Sequence, residues 1–165
     1  MKTKFGLDAK KIEEKKSGGK KKGPAYTAPK NKKKQQIFEF YYMIPAKLTA
    51  KELSLQITVL PEDKIEIWLE LNLMEVVMTA DSLIFQDAWD CFEDPLDLEF
   101  IEGHGFKTIF QISYDTEDTA LVRKVMKELL EKVGGLICSD TDTFEPSYNV
   151  ENVIAMGETA KKIGF

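Results

Sequence analysis

"QIFEFYYMIP", residues 36–45, is the stretch on which the fold turns. Aromatic and β-branched side chains dominate it, and Pro45 stops the run. The pattern predicts a strand over 36–44 that puts Phe38, Phe40 and Tyr42 on one face. It is also where the chain changes character. The preceding "KKSGGKKKGPAYTAPKNKKKQQ", residues 15–36, holds nine lysines, no acid and no aliphatic side chain larger than alanine.

That change divides the charge. The chain has 165 residues and a net charge of -5. Residues 1–36 carry 13 Lys against Asp8, Glu13 and Glu14, or +10; residues 37–165 carry 10 basic groups against 25 acids, or -15. The Gly, Pro and Lys content of the leader cannot bury enough surface to offset the entropy of ordering it. Two parts are therefore expected: a disordered basic tail over 1–35 and an acidic α+β domain over 36–165. The leader lacks the apolar core of a secretory signal, and no apolar run approaches the ~18 residues of a membrane span. Cys91 and Cys138 stand in no metal or redox spacing, which favours a reducing, cytoplasmic setting.

Downstream of Pro45, Thr49 and Glu52 fit a capping box, and Leu53, Ile57 and Leu60 follow at helical spacing. Alternation of Leu53, Leu55, Ile57 and Val59 argues instead for a strand. The preferred reading is a helix over 49–60, closed by Pro61. In "DKIEIWLELNL", 63–73, Ile65, Ile67, Leu69, Leu71 and Leu73 alternate with polar positions, which predicts one half-buried strand. Residues 75–80 extend or follow it, and 82–92 is open to either strand or helix. A strand is expected over 106–114.

The helix over 117–133 has the clearest pattern: Leu121, Val122, Val125, Met126, Leu129, Leu130 and Val133 form one stripe. Asp115 or Thr116 is placed to cap it, Gly134-Gly135 to end it, and Lys124/Glu128, Lys127/Glu131 and Glu128/Lys132 to pair on its outer face. "GLICS" reads as a short buried strand. A last helix over about 150–162, capped by Asn149, would turn Val153 and Ile154 inward. This order predicts an antiparallel sheet packed by helices on one face, ferredoxin-like with additions.

No reaction chemistry emerges. His104, between two glycines, reads as a turn, and Cys138 as an inert buried thiol. Asp140, Asp142 and Glu145 are weak candidates for a divalent-ion site, since the loop lacks the glycine and terminal glutamate of an EF-hand. No phosphate loop or dinucleotide fingerprint is present, so no cofactor is expected.

The acids themselves are the remaining signal. A domain near -15 repels itself, and a basic partner would relieve that. The densest acid segment supplies Asp87, Asp90, Glu93, Asp94, Asp97 and Glu99, and Trp68 among glutamates is a candidate contact anchor. The expected function is non-enzymatic: an acidic face that engages a basic protein, such as a toxin or nuclease, in the manner of an immunity protein or inhibitor. The alternative uses the tail, where Lys20, Lys21, Lys22, Lys32, Lys33 and Lys34 would hold nucleic acid or an anionic surface without sequence preference. An enzyme of unassigned chemistry is the second alternative.

Overall fold

The computed structural model of the protein describes residues 36–157. The expected tail, 1–35, and the end of the expected last helix lie outside them. The elements, in chain order, are β1 (Ile37–Ile44), α1 (Ala50–Ser54), β2 (Ile65–Trp68), β3 (Leu73–Val77), β4 (Ser82–Asp87), α2 (Pro95–Gly103), β5 (Thr108–Asp115), α3 (Thr119–Val133), β6 (Leu136–Ser139) and β7 (Ser147–Tyr148). All seven strands form one open sheet in the order β2-β3-β4-β5-β1-β6-β7. Every neighbouring pair is antiparallel.

β1 is central because both its faces are apolar enough to be buried. Phe40, Tyr42 and Ile44 enter the larger core, where they meet Met74, Val76, Leu83, Phe85, Phe110 and Ile112. The stripe of α3 closes this layer with Val122, Val125, Met126 and Leu129. Full burial of each such side chain contributes roughly 1.5–3 kcal/mol, which makes α3 the main cover of the sheet. At the exit of α3, Gly134 and Gly135 have φ of 81° and 98°. A Cβ on Gly135 would stand 2.3 Å from the Met43 carbonyl oxygen, so only glycine lets the chain enter β6 this close to β1.

The other face of β1 begins a second, smaller core of Met43, Ile101, Phe106, Ile109, Cys138 and Phe144. Ile101 belongs to α2, so helices lie on both faces and the one-face expectation is corrected. α2 itself falls in a segment read only as acidic. Its signal was local: Asp94 accepts the Leu96 amide as N-cap and Pro95 opens the first turn.

Four further expectations change. The helix expected over 49–60 stops at Ser54. Its capping box forms as read, but the Thr58 and Val59 amides bond the Glu128 carboxylate on α3 rather than a helix. Leu53 and Ile57 still reach the core, while Leu55 is 71% exposed. The single strand expected over 63–73 is a hairpin: a 3₁₀ turn at Leu69–Leu71 and Asn72 at φ 47° reverse the chain between β2 and β3. The hairpin tip explains the alternation, since Leu69 and Leu71 are 67% and 65% exposed rather than buried. Glu128, expected on the outer face of α3, is buried, though its pairing with Lys132 forms at 2.7 Å. Finally, the described part of the expected last helix is a 3₁₀ turn, Val153–Ala155, with Val153 buried and Ile154 74% exposed. Gly157, at φ 84°, follows it.

Candidate functional site

Strand register assembles what the sequence left scattered. Opposite partners across a sheet share a face. Trp68 pairs with Leu73, Leu73 with Gln86, Gln86 with Gln111, and Gln111 with Tyr41, forming one row. The neighbouring row runs Glu66, Glu75, Ile84, Ser113, Glu39. Both rows lie opposite the face that Met74, Val76 and Phe85 turn into the larger core. The smaller core draws on β1, β5 and β6 but on no residue of β2, β3 or β4. This side of the sheet is therefore an open surface bearing Trp68 (43% exposed), three glutamates and no lysine or arginine along either row.

At the β1 end the surface runs into a group of acids. Tyr41 packs edge-on against Phe92, and Phe92, Phe144 and Phe100 continue the aromatic contacts beneath. The Tyr41 hydroxyl titrates above its ordinary range, through burial first and then the charges of Asp140, Cys91, Glu39 and Asp97. Asp97 is also raised, by burial and then by Asp94, Asp142 and Asp140. So the start of α2 and the β6–β7 loop bring Asp94, Asp142 and Asp140 within electrostatic range of Asp97. Ion pairs between described residues are found on α3, Lys127–Glu131 and Lys132–Glu128, and none neutralises this group.

The sequence-predicted residues thus divide. Trp68 anchors one end of the open surface, and Asp94 and Asp97 stand at the other. Asp87 and Asp90 line a different feature, a cleft of about 750 Å³ with Lys47, Lys107 and Trp89. There Asp87 is committed, accepting from the Trp89 amide and the Asn72 side chain. Glu93 and Glu99 are exposed. Lys20, Lys21, Lys22, Lys32, Lys33 and Lys34 lie outside the described residues. Glu39, Tyr41, Glu66 and Glu75 were not singled out by sequence, because only register reveals that they share a face.

Asp140, Asp142 and Glu145 do not converge as ligands. Glu145 accepts from the Ser147 amide and hydroxyl, and no group of three acid, His or Cys side chains among the described residues is arranged to hold a metal ion. The His104 ring sits 2.8 Å from the Phe100 carbonyl at the end of α2 and stacks on Phe106. Burial and then the Glu145 charge push the Cys138 thiol up to about 12, so it stays protonated and unreactive near neutrality.

Neither a family model, a curated protein nor a solved structure matches this chain significantly. The surface must be interpreted from its own chemistry. Among the described residues no helix is long and apolar enough to cross a membrane.

Proposed function

We propose that this protein is a non-enzymatic binding domain whose acidic surface engages a basic protein, in an immunity- or inhibitor-like role. The observation that carries the reading is the gathering of Asp94, Asp142 and Asp140 about the Asp97 carboxyl, which burial first and then their charges hold above its ordinary range. Like charges brought together with no ion pair from the described residues destabilise the free domain, and a lysine- or arginine-bearing partner removes that cost on binding. Trp68 and Tyr41 supply aromatic faces along the same surface, which suits the packing of cationic side chains. The central strand order β4-β5-β1-β6, with α3 returning β5 to β6 beside β1, supports a ferredoxin-like framework with β2, β3 and β7 as additions. Two unpaired cysteines favour a cytoplasmic setting.

The test titrates the full chain and a 36–165 fragment with a basic protein and with a short DNA duplex at two salt concentrations. The acidic-surface reading expects the fragment to bind the basic protein at least as tightly as the full chain. It also expects lysine substitutions at Asp94, Asp97, Asp140 and Asp142 to slow association more than they speed dissociation. Tight DNA binding by the full chain alone, falling with salt by about 0.9 log units per phosphate contact, would transfer the function to the basic leader.

A further inference from the structure

The two edges of the sheet are finished differently. β7 has two residues and follows directly on Pro146, a short and blunted edge. β2 has four residues, Ile65–Trp68, with no proline or lysine among them, and no described strand pairs along its outer side. Folded proteins protect such an edge because its unpaired amides and carbonyls recruit other strands. Here the edge instead leads into exposed Trp68, Leu69 and Leu71.

The side chains at this edge also specify a charge. Glu66 stands directly opposite Glu75, a like-charge cross-strand pair of the kind that destabilises a sheet. Glu75 accepts a 2.6 Å bond from the Ser82 hydroxyl, while Glu66 is exposed at the outermost position of its row. A strand added outside β2 would place one residue beside Glu66, and the residue two further along beside Trp68, on the same face.

We propose that the edge of β2 is a strand-addition site for an extended segment of a basic protein, which sets a lysine or arginine beside Glu66 and an apolar side chain beside Trp68. The inference rests on the acidic-surface reading and names how the partner's backbone is held. Charge decides against a second copy of this chain as the occupant. Two β2 edges brought together would juxtapose Glu62, Asp63, Glu66 and Glu70 of each copy, with Lys64 as the one cation in that span.

The experiment uses the full chain and a synthetic peptide in which every second residue is threonine and the others alternate lysine and leucine. A second peptide of identical sequence carries N-methyl groups on alternate backbone amides, so it keeps its charge but cannot complete a ladder. Strand addition predicts that the unmodified peptide binds and slows amide exchange at 65–68, that N-methylation weakens binding by roughly tenfold or more, and that Glu66→Lys does likewise. Equal binding of the two peptides would overturn strand addition while leaving charge-driven recognition intact. Failure of both to bind would also overturn it, and the acidic-surface reading would still be judged separately by the basic-protein titration of Asp97 and Asp140 variants. Concentration-dependent dimerisation with protection at 65–68 in the absence of peptide would replace the basic partner with a second copy.

Discussion

Glu128 holds Thr58 across 70 residues of sequence: its two carboxylate oxygens accept the Thr58 amide at 3.0 and 2.9 Å. The same carboxylate takes the Thr58 hydroxyl, the Val59 amide at 3.1 Å and the Lys132 ammonium at 2.7 Å. Burial by itself would raise this carboxyl, but the Lys132 and Thr58 bonds outweigh it and hold the pKa down at about 2. One side chain thus ends α1, pins the 55–60 segment and ties it to α3.

Glu128→Gln is expected to lower stability at pH 7 by up to about 3 kcal/mol, the scale set by a carboxyl held down at about 2 and by 1.36 kcal/mol per pKa unit. Because the folded-state pKa lies below the unfolded one, this stability is fully present above the ordinary glutamate range. It is lost as pH falls from about 4.5 towards 2. Urea unfolding at several pH values should show wild type and variant converging at the acid end. Parallel curves throughout would mean that folding does not depress the Glu128 carboxyl.

Gly135→Ala combines a left-handed φ with a Cβ in collision with the Met43 carbonyl, whereas a Cβ on Gly134 meets nothing within 4 Å. Gly134→Ala should therefore cost only backbone strain, about 1–3 kcal/mol. Gly135→Ala should cost more, because β6 must shift from β1 to relieve the overlap. Thermal unfolding of the two variants decides the order, and equal losses would contradict the close approach.

Val125→Asp should abolish cooperative folding. Val125 is completely buried in the larger core, and an unpaired charge there costs several kcal/mol, on the order of the stability of a whole domain. Near-UV circular dichroism gives the readout. A cooperative unfolding transition in this variant would reverse the assignment of the α3 face.

Asp118, buried just before α3, accepts the amides of Thr79, Ala80 and Asp81 and so closes the turn between β3 and β4. Asp118→Ala should lower stability by roughly 1–3 kcal/mol, because it removes the carboxylate that accepts these charge-assisted bonds. Amide exchange at residues 79–81 should accelerate most. Unchanged exchange there would remove Asp118 from the turn.

How much was legible follows from how local the information is. β1 and α3 could be read because their apolar spacing already matches the element that buries it: Phe40, Tyr42 and Ile44 at every second residue, and Val122, Val125, Met126 and Leu129 on one helical stripe. The capping box at Thr49 and Glu52 was legible for the same reason. The start of α2 carried an equally local signal in Asp94-Pro95, but it was masked by the surrounding acids. Elsewhere the local pattern was degenerate. Alternation over 65–73 suits a long strand or a hairpin equally, and the choice came from Asn72, whose side chain bonds Ala50, 22 residues away, and Asp87, 15 residues away. The length of α1 was decided by Glu128, on another helix. The site divides in the same way. Acidity and an aromatic among glutamates are properties of composition, visible in the chain alone. That Glu66 faces Glu75, that Trp68 and Tyr41 share one row, and that Asp140 lies within electrostatic range of Asp97 depend on register and loop placement. Those are set by long-range pairing that no short window of sequence contains.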